Sequence, residues 1–200
     1  MRSSTWRSRR LLSTVMALAA LGGVHRTLVA QTKPIEFRVL ATNKTSTMEK
    51  ELNEAAEAGF RFQSAMGGET AIGGSEVVSV LSRSGEAKRR FAYKLLATSK
   101  TSTMEKEMQE AADAGFDYRG QTVFKSTFGG QEVVCILERD KDAASTKIQF
   151  KLVATTKTST LEKELVEAGA AGYQVMGMTV SKTLIGGKEL VAILKRATAP

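Results

Sequence analysis

Lys44-Thr45-Ser46-Thr47 recurs as Lys100-Thr101-Ser102-Thr103 and as Lys157-Thr158-Ser159-Thr160. Each copy sets a cation and hydroxyls where a helix is due to begin, beside unpaired backbone N–H groups and the positive end of the helix dipole. That is the makeup of an anion site. The candidate ligands are Lys44, Ser46, Thr47, Lys100, Ser102, Thr103, Lys157, Ser159 and Thr160. The expected guest is a phosphate, sulfate or carboxylate group, or an acidic protein partner. It is not a P-loop, because the glycines that let a backbone wrap a phosphate are missing. Capping alone accounts for the hydroxyls without any ligand, but not for the recurring lysine.

Other chemistry is sparse. Glu76, Glu132 and Glu189 recur just after the Gly-Gly turns. One acid per unit beside a solvent-facing turn reads as a charge protecting a hairpin end. Beyond residue 30 the chain has no His and a single Cys, Cys135. A metal site needs clustered His, Cys or carboxylates, and nucleophilic catalysis of the Ser–His or Cys–His kind needs a His. Cys135 aligns with Ser79 and Ala192 and reads as a small buried residue. The expectation is a non-catalytic protein without a cofactor.

Residues 1–30 have the pattern of an export signal. Arg2, Arg7, Arg9 and Arg10 form a basic head, Leu11 to Val24 an apolar stretch, and Leu28-Val29-Ala30 a cleavage site. The 14 apolar-stretch residues fall short of the ~20 a spanning helix needs. An uncleaved anchor or an ordinary buried helix is the alternative, and Arg9-Arg10 leaves Sec and twin-arginine export both open. The mature protein is thus expected to be periplasmic or secreted, with no stable membrane span. Five of the 29 Lys and Arg lie in this leader and none of the 21 acids, so the remainder carries 24 against 21, or +3. That modest balance, with no basic run interleaved with aromatics, excludes a nucleic-acid partner.

The elements that would position these residues follow from a threefold repeat. Thr-x-Lys-Thr-Ser-Thr-(Met/Leu)-Glu-Lys-Glu begins at Thr42, Thr98 and Thr155, a period of 56 to 57 residues. Ahead of it, Phe37, Val39 and Ala41 alternate with polar residues, as do Tyr93, Leu95, Ala97 and Phe150, Leu152, Ala154, which predicts a strand. Ser46-x-x-Glu49, Ser102-x-x-Glu105 and Ser159-x-x-Glu162 match a capping box. Met48, Leu52, Ala55 and Ala56 then form one helical stripe, and Gly59, Gly115 and Gly172 end the helix ahead of an aromatic plug. Two further strands flank Gly73-Gly74, Gly129-Gly130 or Gly186-Gly187, a hairpin signal.

Each unit is therefore β-α-β-β, at residues 36–84, 91–140 and 148–197. The third strand is apolar at consecutive positions, so both its faces need cover while its own helix supplies only one. The chain is expected to be α+β, with three antiparallel sheets and one helix per repeat. The units should pack through their sheets or as a pseudo-threefold cluster, with independent beads as the alternative.

The strand, the helix exits Ala58-Gly59-Phe60, Ala114-Gly115-Phe116 and Ala171-Gly172-Tyr173, and the hairpin run Gly-Gly-x-Glu-(Val/Leu)-Val-x-(Val/Ile)-Leu carry a resemblance. Each unit resembles the small bacterial domains of domain-of-unknown-function family 4177 over ~45 residues, with Phe or Tyr where that family has Trp. The resemblance implies a β-α-β-β fold and no activity. The expected function is a protein-interaction or scaffold module of the cell envelope. The alternative is a small-ligand or anion carrier, with a pocket between units lined by Met66, Phe124, Met176 and Met178.

Overall fold

A computed structural model describes residues 34–71, 74–85, 90–98, 100–125, 131–144, 146–182 and 188–198. Residues 1–33, which include the expected leader, and Gly73, Gly129-Gly130 and Gly186-Gly187 lie outside the described residues. The first unit comprises β1 (Glu36–Thr42), α1 (Thr45–Glu57), β2 (Arg61–Thr70) and β3 (Gly74–Arg83). The second comprises β4 (Phe91–Thr98), α2 (Thr101–Asp113), β5 (Asp117–Lys125) and β6 (Gln131–Asp140). The third comprises β7 (Ile148–Thr155), α3 (Thr158–Ala170), β8 (Gln174–Lys182) and β9 (Lys188–Ala197). The fold is α+β with three repeated units.

The hairpin's second strand is central in every sheet: β1-β3-β2, β4-β6-β5 and β7-β9-β8, all antiparallel. This explains its unbroken apolar run. Val133, Val134, Cys135, Ile136 and Leu137 are all buried, alternate residues entering the cores above and below the sheet.

The helix exits behave as the glycines predict. Gly59, Gly115 and Gly172 adopt φ of 83°, 85° and 84°. In the first unit the Gly59 N–H donates to the Ala56 carbonyl at 2.8 Å and the Phe60 N–H to the Ala55 carbonyl at 2.9 Å. These are the two bonds of a Schellman cap.

The helix starts differ from the expected capping box. Lys44, Lys100 and Lys157 are the extended residues ahead of the first turn, and no side chain caps the helix at any of them. Glu49 does not reach back to Ser46; its carboxylate accepts from the Leu95 N–H of the next unit at 2.8 Å. Glu105 accepts likewise from Leu152 at 2.7 Å. The open backbone of a neighbouring edge strand takes the carboxylate that local spacing assigned to the cap.

The three units stack in chain order. In the first core, Met48, Leu52, Ala55 and Ala56 of α1 lie between Val77 and Leu81 of their own sheet and Tyr93, Val134 and Ile136 of the next. The second core repeats this with Met104, Met108, Ala111 and Ala112 of α2 between Leu137 and Phe150. The third, among the described residues, packs on its own sheet alone, through Leu161, Ala168, Val153, Ala192 and Leu194. No core joins the first unit to the third among the described residues, so the arrangement is serial and not a threefold cluster.

Beyond the helix the sheets meet directly, β2 against β5. A Cβ on Gly67 would lie 2.0 Å from the Val123 carbonyl oxygen, so only glycine allows that approach.

Candidate functional site: helix starts, junctions and end faces

The residues named for anion binding remain at three separate helix starts. Lys44, Lys100 and Lys157 are exposed, as are Ser46, Ser102 and Ser159; Thr47 and Thr160 are half-buried and Thr103 is exposed. The lysine backbone has a local role. Its N–H donates to the hydroxyl of Thr42, Thr98 or Thr155 at 3.2, 3.1 and 3.3 Å, closing the turn from strand to helix. The groove beside the α2 start is lined by Thr101, Ser102 and Lys151 together with Glu105, Glu164 and Glu167. Three carboxylates against one lysine there work against an anion.

The recurring acids do not pair either. Glu76, Glu132 and Glu189 lie on the central strands of three different sheets, and the Glu76 carboxylate accepts from the Thr70 hydroxyl across its hairpin at 2.6 Å. Cys135 is fully buried in the second core, and burial pushes its thiol up to about 12. Among the described residues no three His, Cys, Asp or Glu side chains gather to hold a metal ion. No described helix is long and apolar enough to cross a membrane. Met66 and Met178 lie in the first and third sheets and are exposed, whereas Met176 packs against the second core. The side chain of Phe124, the fourth residue expected at such a pocket, lies outside the described residues.

What the structure does build, twice, is a junction between units. The helix of one unit covers the open edge of the next unit's first strand with polar side chains. Asn53 accepts from the Tyr93 N–H and donates to the Tyr93 carbonyl, both at 2.9 Å. At the second junction Gln109 accepts from the Phe150 N–H and donates to the Ile148 carbonyl, both at 3.1 Å. With Glu49 and Glu105, these side chains satisfy backbone groups that a bare sheet edge would leave unpaired.

An ion pair locks each junction, with the charges exchanged. Arg61 donates to the buried Glu138 at 2.8 Å in the first. In the second, at the equivalent positions, Lys195 donates to Asp117 at 2.8 Å. Tyr93 joins the first pair, accepting from the Phe62 N–H and donating to Glu138, both at 2.8 Å. Burial, with Glu138 adding to it, holds this phenol above its usual range, so its proton stays in place for that donation. Crossing the junctions would oppose Arg61 to Lys195 or Asp117 to Glu138.

Sequence reasoning missed these roles because the ion-pair partners differ in type between copies. Another recurring device was readable from the period. Arg83, Arg139 and Arg196 each donate to the carbonyl ending a helix, at Ala58, Ala114 and Ala171, and lie over Phe60, Phe116 and Tyr173.

Among the described residues, the two ends of the stack lack the partner that each junction supplies. On the first sheet Phe37 is 67% exposed, whereas its equivalents Tyr93 and Phe150 are 3% and 4% exposed; Val39 is 63% exposed, whereas its equivalents Leu95 and Leu152 are half-buried. The alternating face of β1 points away from α1, toward the place a preceding unit would occupy. Val80 pairs with Val39 and Val78 with both Ala41 and Met66, so these residues share one apolar surface. At the other end Val166 of α3 and Val175, Met178 and Val180 of β8 are exposed. No known family model, curated protein or solved structure matches the chain.

Proposed function

We propose that the chain is a non-catalytic, extracytoplasmic protein-interaction module, a scaffold of three like units that binds protein through its two ends. One observation carries this reading. All eight large apolar side chains that the described residues expose belong to one end or the other: Ile35, Phe37, Val39 and Met66 at the first, Val166, Val175, Met178 and Val180 at the last. Scattered exposed apolar residues are ordinary, but contiguous ones mark contact surfaces. Repeat stacks usually close their ends with polar outer faces to stay soluble. These ends are apolar instead.

A photo-crosslinking side chain placed at Val39 or Val175, in the full chain within its native envelope, tests the proposal. Discrete protein adducts are expected from both positions and none from Lys106, on the exposed flank of α2. Adducts equally abundant at Lys106, or no protein adduct at either end, would refute it.

A further inference from the structure

We infer that the two ends fit each other, so that the partner is a second copy of this chain added head to tail, α3 of one copy covering β1 of the next in the register of the internal junctions. This rests on the reading of the ends as protein-binding faces and names the partner.

The argument comes from what each internal junction uses and what the ends retain. α1 and α2 each bring a Glu to a backbone N–H of the next unit's first strand, Glu49 to Leu95 and Glu105 to Leu152. α3 carries Glu162 at that position, and Val39 is the equivalent of Leu95. At both junctions an aromatic sits against a glycine of the next unit. A Cβ on Gly120 would lie 3.2 Å from the Phe62 ring, and one on Gly177 would lie 2.3 Å from the Tyr118 hydroxyl. The end positions are Val175 and Ser64, a smaller side chain facing a filled glycine site.

The charges agree as well. Where the junctions hold Arg61 with Glu138 and Asp117 with Lys195, the ends hold Gln174 and Ser82, a neutral polar pair. Neither internal pair can be exchanged for the other without opposing like charges, and the end pair opposes none. At the position of Asn53 and Gln109, α3 carries Val166, which forgoes the backbone bonds those amides make and adds apolar contact to the exposed row of Phe37 and Val39. Such an interface is heterologous: the two surfaces differ, so copies add in a line unless the rotation closes a ring.

Two charged substitutions separate this from every symmetric alternative. V39E blocks the head and V166E blocks the tail, both at sites more than 60% exposed, where the fold does not depend on them. Circular dichroism and thermal melts confirm that each variant stays folded. In sedimentation velocity the unmodified full chain is expected to grow with concentration beyond a dimer or into a closed ring. Each variant alone should associate about a hundredfold more weakly, because a charge in a dry apolar contact goes unpaired. Mixed, they should form a 1:1 dimer that grows no further, since one good tail meets one good head.

A wild-type monomer at all concentrations overturns the inference, as do variants that still self-associate alone or a mixture that gives no dimer. If the end-face crosslinks capture a different protein while the chain stays monomeric, the interaction reading survives and the second-copy inference falls. If neither occurs, both fall.

Discussion

Ser79, Cys135 and Ala192 occupy one position in three sheets, and all are fully buried. The Ser79 hydroxyl has no hydrogen-bond partner among the described residues. A buried hydroxyl left unpaired costs more than the bond it could make, and the third unit has already replaced it with alanine. Ser79→Ala should therefore stabilise the chain by about 1 kcal/mol. In urea unfolding the midpoint should rise with the slope unchanged. A lower midpoint would mean that the oxygen contributes packing worth more than its desolvation.

At the scale of elements, the contact that defines the fold is a helix lying on the edge of a neighbouring unit's strand. Asn53 completes the backbone pairing of Tyr93 as another strand would, and Gln109 spans Ile148 and Phe150 in the same way. Asn53→Ala leaves that edge open in a half-buried setting and should cost about 1–2 kcal/mol. The Tyr93 amide should exchange at least several-fold faster by NMR. Val166→Ala, at the equivalent site with nothing to cover, should change the isolated chain's stability by less than about 0.5 kcal/mol. Equal losses at Asn53 and Val166 would remove the distinction.

The elements themselves were legible in the sequence, because strand alternation, helix stripe, αL glycine and hairpin are local patterns repeated three times. Their partners were less so. Ser46-x-x-Glu49 satisfies a local motif, yet Leu95 competes for the same carboxylate from 46 residues away. Phe37, Val39 and Ala41 show that β1 has an apolar face, but alternation does not say whether its own helix or a neighbour covers it. The Arg61–Glu138 and Asp117–Lys195 pairs were invisible for a different reason: the exchange of charge erases the repetition by which every other feature was found.

For the whole molecule, stacking in series makes stability a sum of units and junctions, and the units are not equal. The first and second cores each draw on two sheets, whereas the third draws on one. The α3 amides should therefore exchange fastest of the three helices, with local opening easier by about 1–2 kcal/mol. Hydrogen exchange at low protein concentration measures this, and equal protection of α2 and α3 would contradict it.

The exchanged ion pairs also bear on how such a chain can lengthen. Copying the middle unit in place would seat Asp117 of one copy against Glu138 of the next, two carboxylates where the fold needs opposite charges. Copying all three units together joins Gln174 to Ser82 and introduces no clash. The whole triplet can therefore be doubled without a clash, whereas a second copy of the middle unit alone must arrive with a compensating change of charge.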